Sequence, residues 1–111
     1  MTLLPHAERA TLDIRKLADY CLSPEHPRGR HKARVFREAL GIGRSDAIWL
    51  RDVLLAGAME VEARPLDIDR YGSRWRIDMP LSRPGRNAVI RTLWIVRSET
   101  DAPAFVTCWV L

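Results

Sequence analysis

The chain has 111 residues with 47% apolar content, the size of one domain able to enclose its own core, so wholesale disorder is excluded. No stretch approaches the roughly 18 uninterrupted apolar residues of a membrane helix, and Met1-Thr2-Leu3-Leu4-Pro5-His6 lacks the head and apolar run of a signal peptide, so a cytoplasmic protein without a membrane partner is expected. The formal charge is +4, and only Lys16 and Lys32 are lysines; this excess of guanidinium fits either a GC-rich coding bias or phosphate recognition.

Asp13 is placed to cap a helix in which Ile14, Leu17, Ala18 and Cys21 form one apolar stripe. Pro24 and Pro27 end it and open a polar loop, Ser23 to Gly29. The pattern predicts a second helix from about Arg30 to Leu40, with Ala33, Phe36 and Leu40 inward and Gly41 as its stop. Ser45-Asp46 reads as the cap of a third, with Ala47, Leu50, Val53, Leu54 and Gly57 inward. Beyond about Met59 the period changes from 3.6 to 2. Glu60 to Ile68 is a weak strand suited to an edge because Pro65 interrupts it. Tyr71 to Leu81 alternates, with Trp75, Ile77 and Met79 opposite Arg74, Arg76 and Asp78. Ala88 to Arg97 and Ala104 to Leu111 complete the set, joined by short turns that imply hairpins.

The expected fold is α+β in one domain, residues 1–111. Two to three N-terminal helices (about 13–58) pack on a four-stranded antiparallel β-sheet (about 59–111). In the last two strands both faces carry large apolar residues. Ile90, Trp94 and Val96 oppose Leu93 and Ile95, while Val106 and Val110 oppose Phe105, Trp109 and Leu111. Those strands are expected to be central, or covered on the second face by a loop, a ligand or a partner chain. Arg91 and Thr107 interrupt that second face, as a binding site or as a structural hydrogen bond. Cys21 and Cys108, each among apolar neighbours and without metal-ligand spacing, read as reduced core residues.

The chemistry concentrates between His26 and Arg37. Arg28, Arg30, Lys32, Arg34 and Arg37 cluster with His26 and His31 at a loop and the first turns of a helix. Cations there are disfavoured by the helix dipole and by mutual repulsion, so local stability does not account for them. A phosphate would, although a solvated basic face is the plain alternative. Histidine beside such a site supplies acid–base chemistry near neutral pH. His26, Lys32, Arg91 and Thr107 together match the needs of metal-free RNA cleavage, in which the 2′-hydroxyl attacks the adjacent phosphorus. Metal or cofactor chemistry has no comparable signature. There is no zinc motif, Gly41-Ile42-Gly43 lies between helices rather than after a strand, and neither a Walker motif nor a nucleophile elbow is present.

The opening Leu4-Pro5-His6-Ala7-Glu8, the run from Leu22 to Phe36 containing His26-Pro27-x-Gly29-x-x-Lys32-Ala33-x-x-Phe36, Arg91-Thr92-Leu93-Trp94-Ile95 and Thr107-Cys108-Trp109-Val110 resemble a family of small bacterial domains of unknown function. Members occur alone and at the C-termini of phage head-morphogenesis proteins and polymorphic toxins. Those domains resemble the barnase–EndoU–colicin–RelE class of metal-independent ribonucleases, with helices ahead of a four-stranded antiparallel sheet. The resemblance implies a toxin-like endoribonuclease with His26, Lys32, Arg91 and Thr107 at the family's polar positions. From the basic cluster itself Arg28, Arg30, His31 and Arg34 are the substrate-binding candidates, joined by Trp109, and His31 matches no position of the family pattern. Trp109 stands where tyrosine is more usual, which leaves base stacking rather than acid–base chemistry. RNA and a small antitoxin- or immunity-like protein are the implied partners, with no cofactor. The alternatives are a non-catalytic RNA- or protein-binding module of a toxin–antitoxin or phage system, and a structural domain that forms a homodimer.

Overall fold

A computed structural model describes all 111 residues, Met1–Leu111. The first predicted helix is reduced to little more than one widened turn. Leu17–Cys21 is π-helical, and the Leu22 N–H bonds the carbonyl of Leu17, five residues back, at 2.8 Å. The reason lies in burial. Leu17, Cys21 and Leu22 are all fully buried, and a turn of 3.6 residues would rotate Leu22 away from the face that Leu17 and Cys21 share. The Asp13 carboxylate accepts the Arg15 backbone N–H at 3.0 Å and holds the start of this turn.

Helix α1, Arg30–Leu40, buries Ala33, Phe36 and Leu40 and ends at Gly41, whose φ of 68° is the left-handed conformation glycine adopts without strain. Before helix α2, Ala47–Glu60, a 3₁₀ turn over Arg44–Asp46 intervenes. Asp46 reaches back to accept the Gly43 N–H at 2.9 Å, so it caps the turn ahead of the helix. The buried face of α2 is Ala47, Leu50, Leu54 and Ala58, whereas Val53 and Gly57 lie at its margin.

The strands are β1 (Ala63–Asp69), β2 (Gly72–Arg83), β3 (Arg86–Arg97) and β4 (Ala104–Val110). They form an antiparallel meander in the order β1-β2-β3-β4. The fold is therefore α+β, helices before strands, and helices and sheet share one core that includes Leu17, Phe36, Leu54, Ile77, Ile90 and Trp94. No helix is long and apolar enough to cross a membrane.

Of the last two strands, β3 takes the central place and β4 is an edge strand, so for β4 only the alternative of a covered second face stays open. Its facing also changes midway, because the pairing with β3 shifts register between Leu93/Trp94 and Thr107/Phe105, leaving Val106 as the extra residue of a bulge. Phe105 and Cys108 are consequently both buried, although strict alternation puts them on opposite faces. The edge is not bare. The segment Thr11–Cys21 runs beside it: the Thr11 N–H bonds Pro103 O at 2.9 Å, Lys16 Nζ bonds Phe105 O at 2.8 Å, and the Cys21 thiol lies 3.6 Å from Cys108 O.

One polar pair sits inside the core. Thr92, fully buried, donates from Oγ1 to Ile77 O at 2.8 Å and accepts from Trp94 Nε1 at 2.8 Å. Thr92→Val keeps the shape but strands the indole N–H, and should lower unfolding free energy by about 1–3 kcal/mol in urea titrations. A loss near zero would mean that the Trp94 N–H finds another partner.

Candidate functional site

The loop before α1 is shaped by a contact between backbones. Gly29 is buried, and a Cβ there would overlap the Tyr20 carbonyl. Only glycine allows the loop to lie this close to the π turn. His26 then closes the loop from inside: its Nδ1 accepts the N–H groups of Arg28 and Gly29, each at 3.0 Å, and its ring meets the Tyr20 ring edge-on with centroids 4.8 Å apart. A ring nitrogen that accepts two N–H bonds is unprotonated, so the proton of neutral His26 sits on Nε2. In this arrangement His26 presents a donor.

Lys32 leaves the first turn of α1 toward β4. Its Nζ donates to Thr107 Oγ1 at 3.0 Å and stands 4.8 Å from the Tyr20 ring centroid and 5.3 Å from that of Trp109. The half-buried ammonium is thus held by one hydroxyl and two aromatic faces. Each face contributes about 0.5–2 kcal/mol of cation–π attraction. No carboxylate lies within 4.0 Å of it, nor of Arg28, Arg30, Arg34 or Arg37. Elsewhere in the fold Arg9, Arg15, Arg44, Arg74, Arg83 and Arg91 all have one. No cation of the His26–Arg37 segment is ion-paired, a state it shares with Lys16, Arg64, Arg70, Arg86 and Arg97.

Two cavities open beside this segment. One, of about 320 Å³, is lined by His31, Lys32, Val35, Trp109 and Val110. The other, of about 340 Å³, is lined by Pro24, Arg30, His31, Ala33, Arg34 and Arg37. His31 borders both, and its Nδ1 lies 2.8 Å from Arg34 Nη2. Arg28 is exposed on the loop.

Of the four side chains expected to converge, Lys32 and Thr107 touch, and His26 joins them through Tyr20. Arg91 does not join. It forms a two-pronged pair with Asp78, Nε to Oδ1 at 2.9 Å and Nη2 to Oδ2 at 3.0 Å. Its neighbour Thr92 faces the core, so Arg91 faces away from the helices. The Asp78 carboxyl is held below its usual range, mainly by that hydrogen bond. No three His, Cys, Asp or Glu side chains come together as a metal-ligand group.

The family model for the domain of unknown function DUF6883 matches residues 3–111. The chain belongs to this family. No curated protein and no solved structure matches it.

Two members of the site escaped the sequence reading. Tyr20 lies off the apolar stripe of its segment, an aromatic residue facing the cationic loop, and that offset was the available signal. Cys21 lay on the stripe and read as core, which it is; its thiol also lies 3.8 Å from Thr107 Oγ1. The contact with Cys108, aided by Thr107 and the Lys32 charge, pulls the Cys21 thiol down to about 6 against the opposing effect of burial, while Cys108 is pushed well up. A lowered thiol adds stability above its unfolded pKa of about 8.5 and loses that contribution as pH falls through about 6. Raised Cys108 acts oppositely, removing stability as pH climbs past its unfolded value. Ultraviolet thiolate absorbance should rise with a midpoint near 6 and shift upward in Cys108→Ala and Thr107→Val. Absence of a thiolate signal below pH 8 would contradict this thiol pairing.

Proposed function

We propose that the protein is a toxin-like, metal-independent endoribonuclease that holds an RNA phosphodiester at Lys32 and Thr107. The observation that carries the reading is the Lys32 ammonium without a carboxylate, held by a hydroxyl and two aromatic faces and bordered by further unpaired cations. An anion is what such a site lacks. Trp109 beside the 320 Å³ cavity suits a stacked base. The order of helices before a four-stranded antiparallel sheet fits the barnase–EndoU–colicin–RelE resemblance, and a small antitoxin- or immunity-like protein is the partner this activity requires in a cytoplasm rich in RNA.

The hydrogen bonds favour a division of labour. His26 offers Nε2–H and is the acid for the departing 5′-oxygen. Baring its Nδ1 as a base would break two backbone bonds. His31 has a cheaper route, because its Nδ1 is engaged only by exposed Arg34. When Arg34 turns to a phosphate, Nδ1 is bare and can take the 2′-hydroxyl proton. Lys32 and the Thr107 hydroxyl face the charge that builds on the nonbridging oxygens. Arg91 enters only by leaving Asp78.

The second reading, a non-catalytic RNA-binding module, is favoured by one observation: neither histidine has a free Nδ1 at rest. Incubation with RNA in EDTA separates the two. The ribonuclease should leave 2′,3′-cyclic phosphate ends, with His31→Ala slowing cleavage about 100-fold while binding changes little. Lys32→Met should weaken both. Salt-sensitive binding without cleavage would assign the protein to the second reading, and absence of any RNA binding would end both.

A further inference from the structure

The cavity on the far side of His31 has no role in holding the reacting phosphate. Three arginines line it, Arg30, Arg34 and Arg37, spaced i, i+4 and i+7 on one face of α1. Like charges at such spacings each destabilise a helix by about 0.2–0.5 kcal/mol. The one carboxylate on α1, Glu38, pairs with none of them, and Arg34 turns to His31 although Glu38 stands at i+4. The three arginine side chains, with Pro24 and Ala33, thus border about 340 Å³ of open space. Guanidinium forks match phosphate oxygens two at a time. His31 lines both this cavity and the Trp109 cavity.

We propose that the Arg30–Arg34–Arg37 cavity is a second phosphate subsite on the same strand, so that the ligand is a single-stranded polynucleotide rather than a nucleotide or a single linkage. This rests on the reading that the Lys32 site takes a phosphodiester. A base stacked on Trp109 must be unpaired, and the strand leaving it over His31 carries its next phosphates toward α1. Arg34 bonds the His31 wall that the two cavities share and links their occupancy.

Arg30→Gln/Arg37→Gln keeps good helix formers on an exposed face and leaves Lys32, His31 and Arg34 untouched. Binding of uncleavable 2′-O-methyl oligonucleotides, one a dinucleotide with a single linkage and one an octanucleotide, reads the subsite without turnover. The variant should bind the dinucleotide within twofold of the parent. For the octanucleotide, the slope of log affinity against log salt should flatten by about 0.7 for each phosphate that the variant no longer neutralises. Arg70→Gln/Arg97→Gln makes the same change of charge at residues outside both cavities and should leave the slope unchanged. Equal effects from the two double variants would overturn the proposal in favour of net charge. So would an equal weakening for both ligands, or displacement of the octanucleotide by polyglutamate as readily as by RNA. Arg37→Gln alone, read the same way, serves if the double variant melts early. Octanucleotide binding with the predicted slopes but no cleavage of RNA would leave this subsite standing and remove the proposed chemistry. Failure to bind either oligonucleotide removes both.

Discussion

The approach of Gly29 to the Tyr20 carbonyl sets the position of everything else at the site. It ties the loop before α1 to the π turn at a separation no side chain permits. The turn itself lies along the free edge of β4, where Thr11, Lys16 and Cys21 engage the carbonyls of Pro103, Phe105 and Cys108. Through that chain of contacts the first turn of α1 is brought level with Thr107, and Lys32 can reach it. A side chain with four rotatable bonds loses up to about 2 kcal/mol of rotamer entropy when fixed. The hydrogen bond from the ammonium to the Thr107 hydroxyl, about 1.5–3 kcal/mol for a charged donor, roughly offsets that loss, and the two flanking rings add to it.

The edge and the bulge work together. An edge strand leaves carbonyls free for a neighbouring segment, and here that segment is irregular, so the protein's own side chains cover the edge without adding a fifth strand. The bulge at Val106 lets Phe105 and Cys108 both enter the core. It also sets Thr107 out of phase with Phe105: Thr107 pairs with Leu93 while its side chain meets Lys32 and Cys21, and its strand neighbour Trp109 lies opposite Arg91 of β3.

What was legible in the sequence follows from this. Helix α1 was readable to its ends, because a strong apolar face and a glycine stop act locally. The four strands were readable as alternation and turns, and β1 was readable as an edge from Pro65. The π turn was not, since Ile14, Leu17, Ala18 and Cys21 fit a regular helix and only the competing burial of Leu22 widens it. Nor was the bulge: Phe105 to Val110 alternates plausibly in either phase, and the phase is decided by pairing with β3. At the site, Lys32 and Thr107 are brought together, but neither charge nor periodicity showed that Arg91 had its own partner. Asp78 was visible in β2; that it stands directly across from Arg91 depends on register.

The contrast between Arg91 and Lys32 bears on what the site is for. Both are cations near β4, and both are partly buried. Arg91 is answered by a carboxylate in a two-pronged pair, the arrangement expected of a charge whose work is structural. Lys32 is held by a hydroxyl and two rings, none of them charged, and the ammonium in turn helps to hold the nearby Cys21 thiol low. Supplying a carboxylate would have been a simple way to stabilise Lys32, and any such carboxylate would have repelled a phosphate. The neutral cage keeps the ammonium in place while leaving its charge available. The same reasoning extends along α1, where Arg34 bonds an imidazole in place of Glu38. Lys32 and Arg34 are thus held by groups that do not cancel their charge, and on the proposed reading that charge is what a phosphate meets.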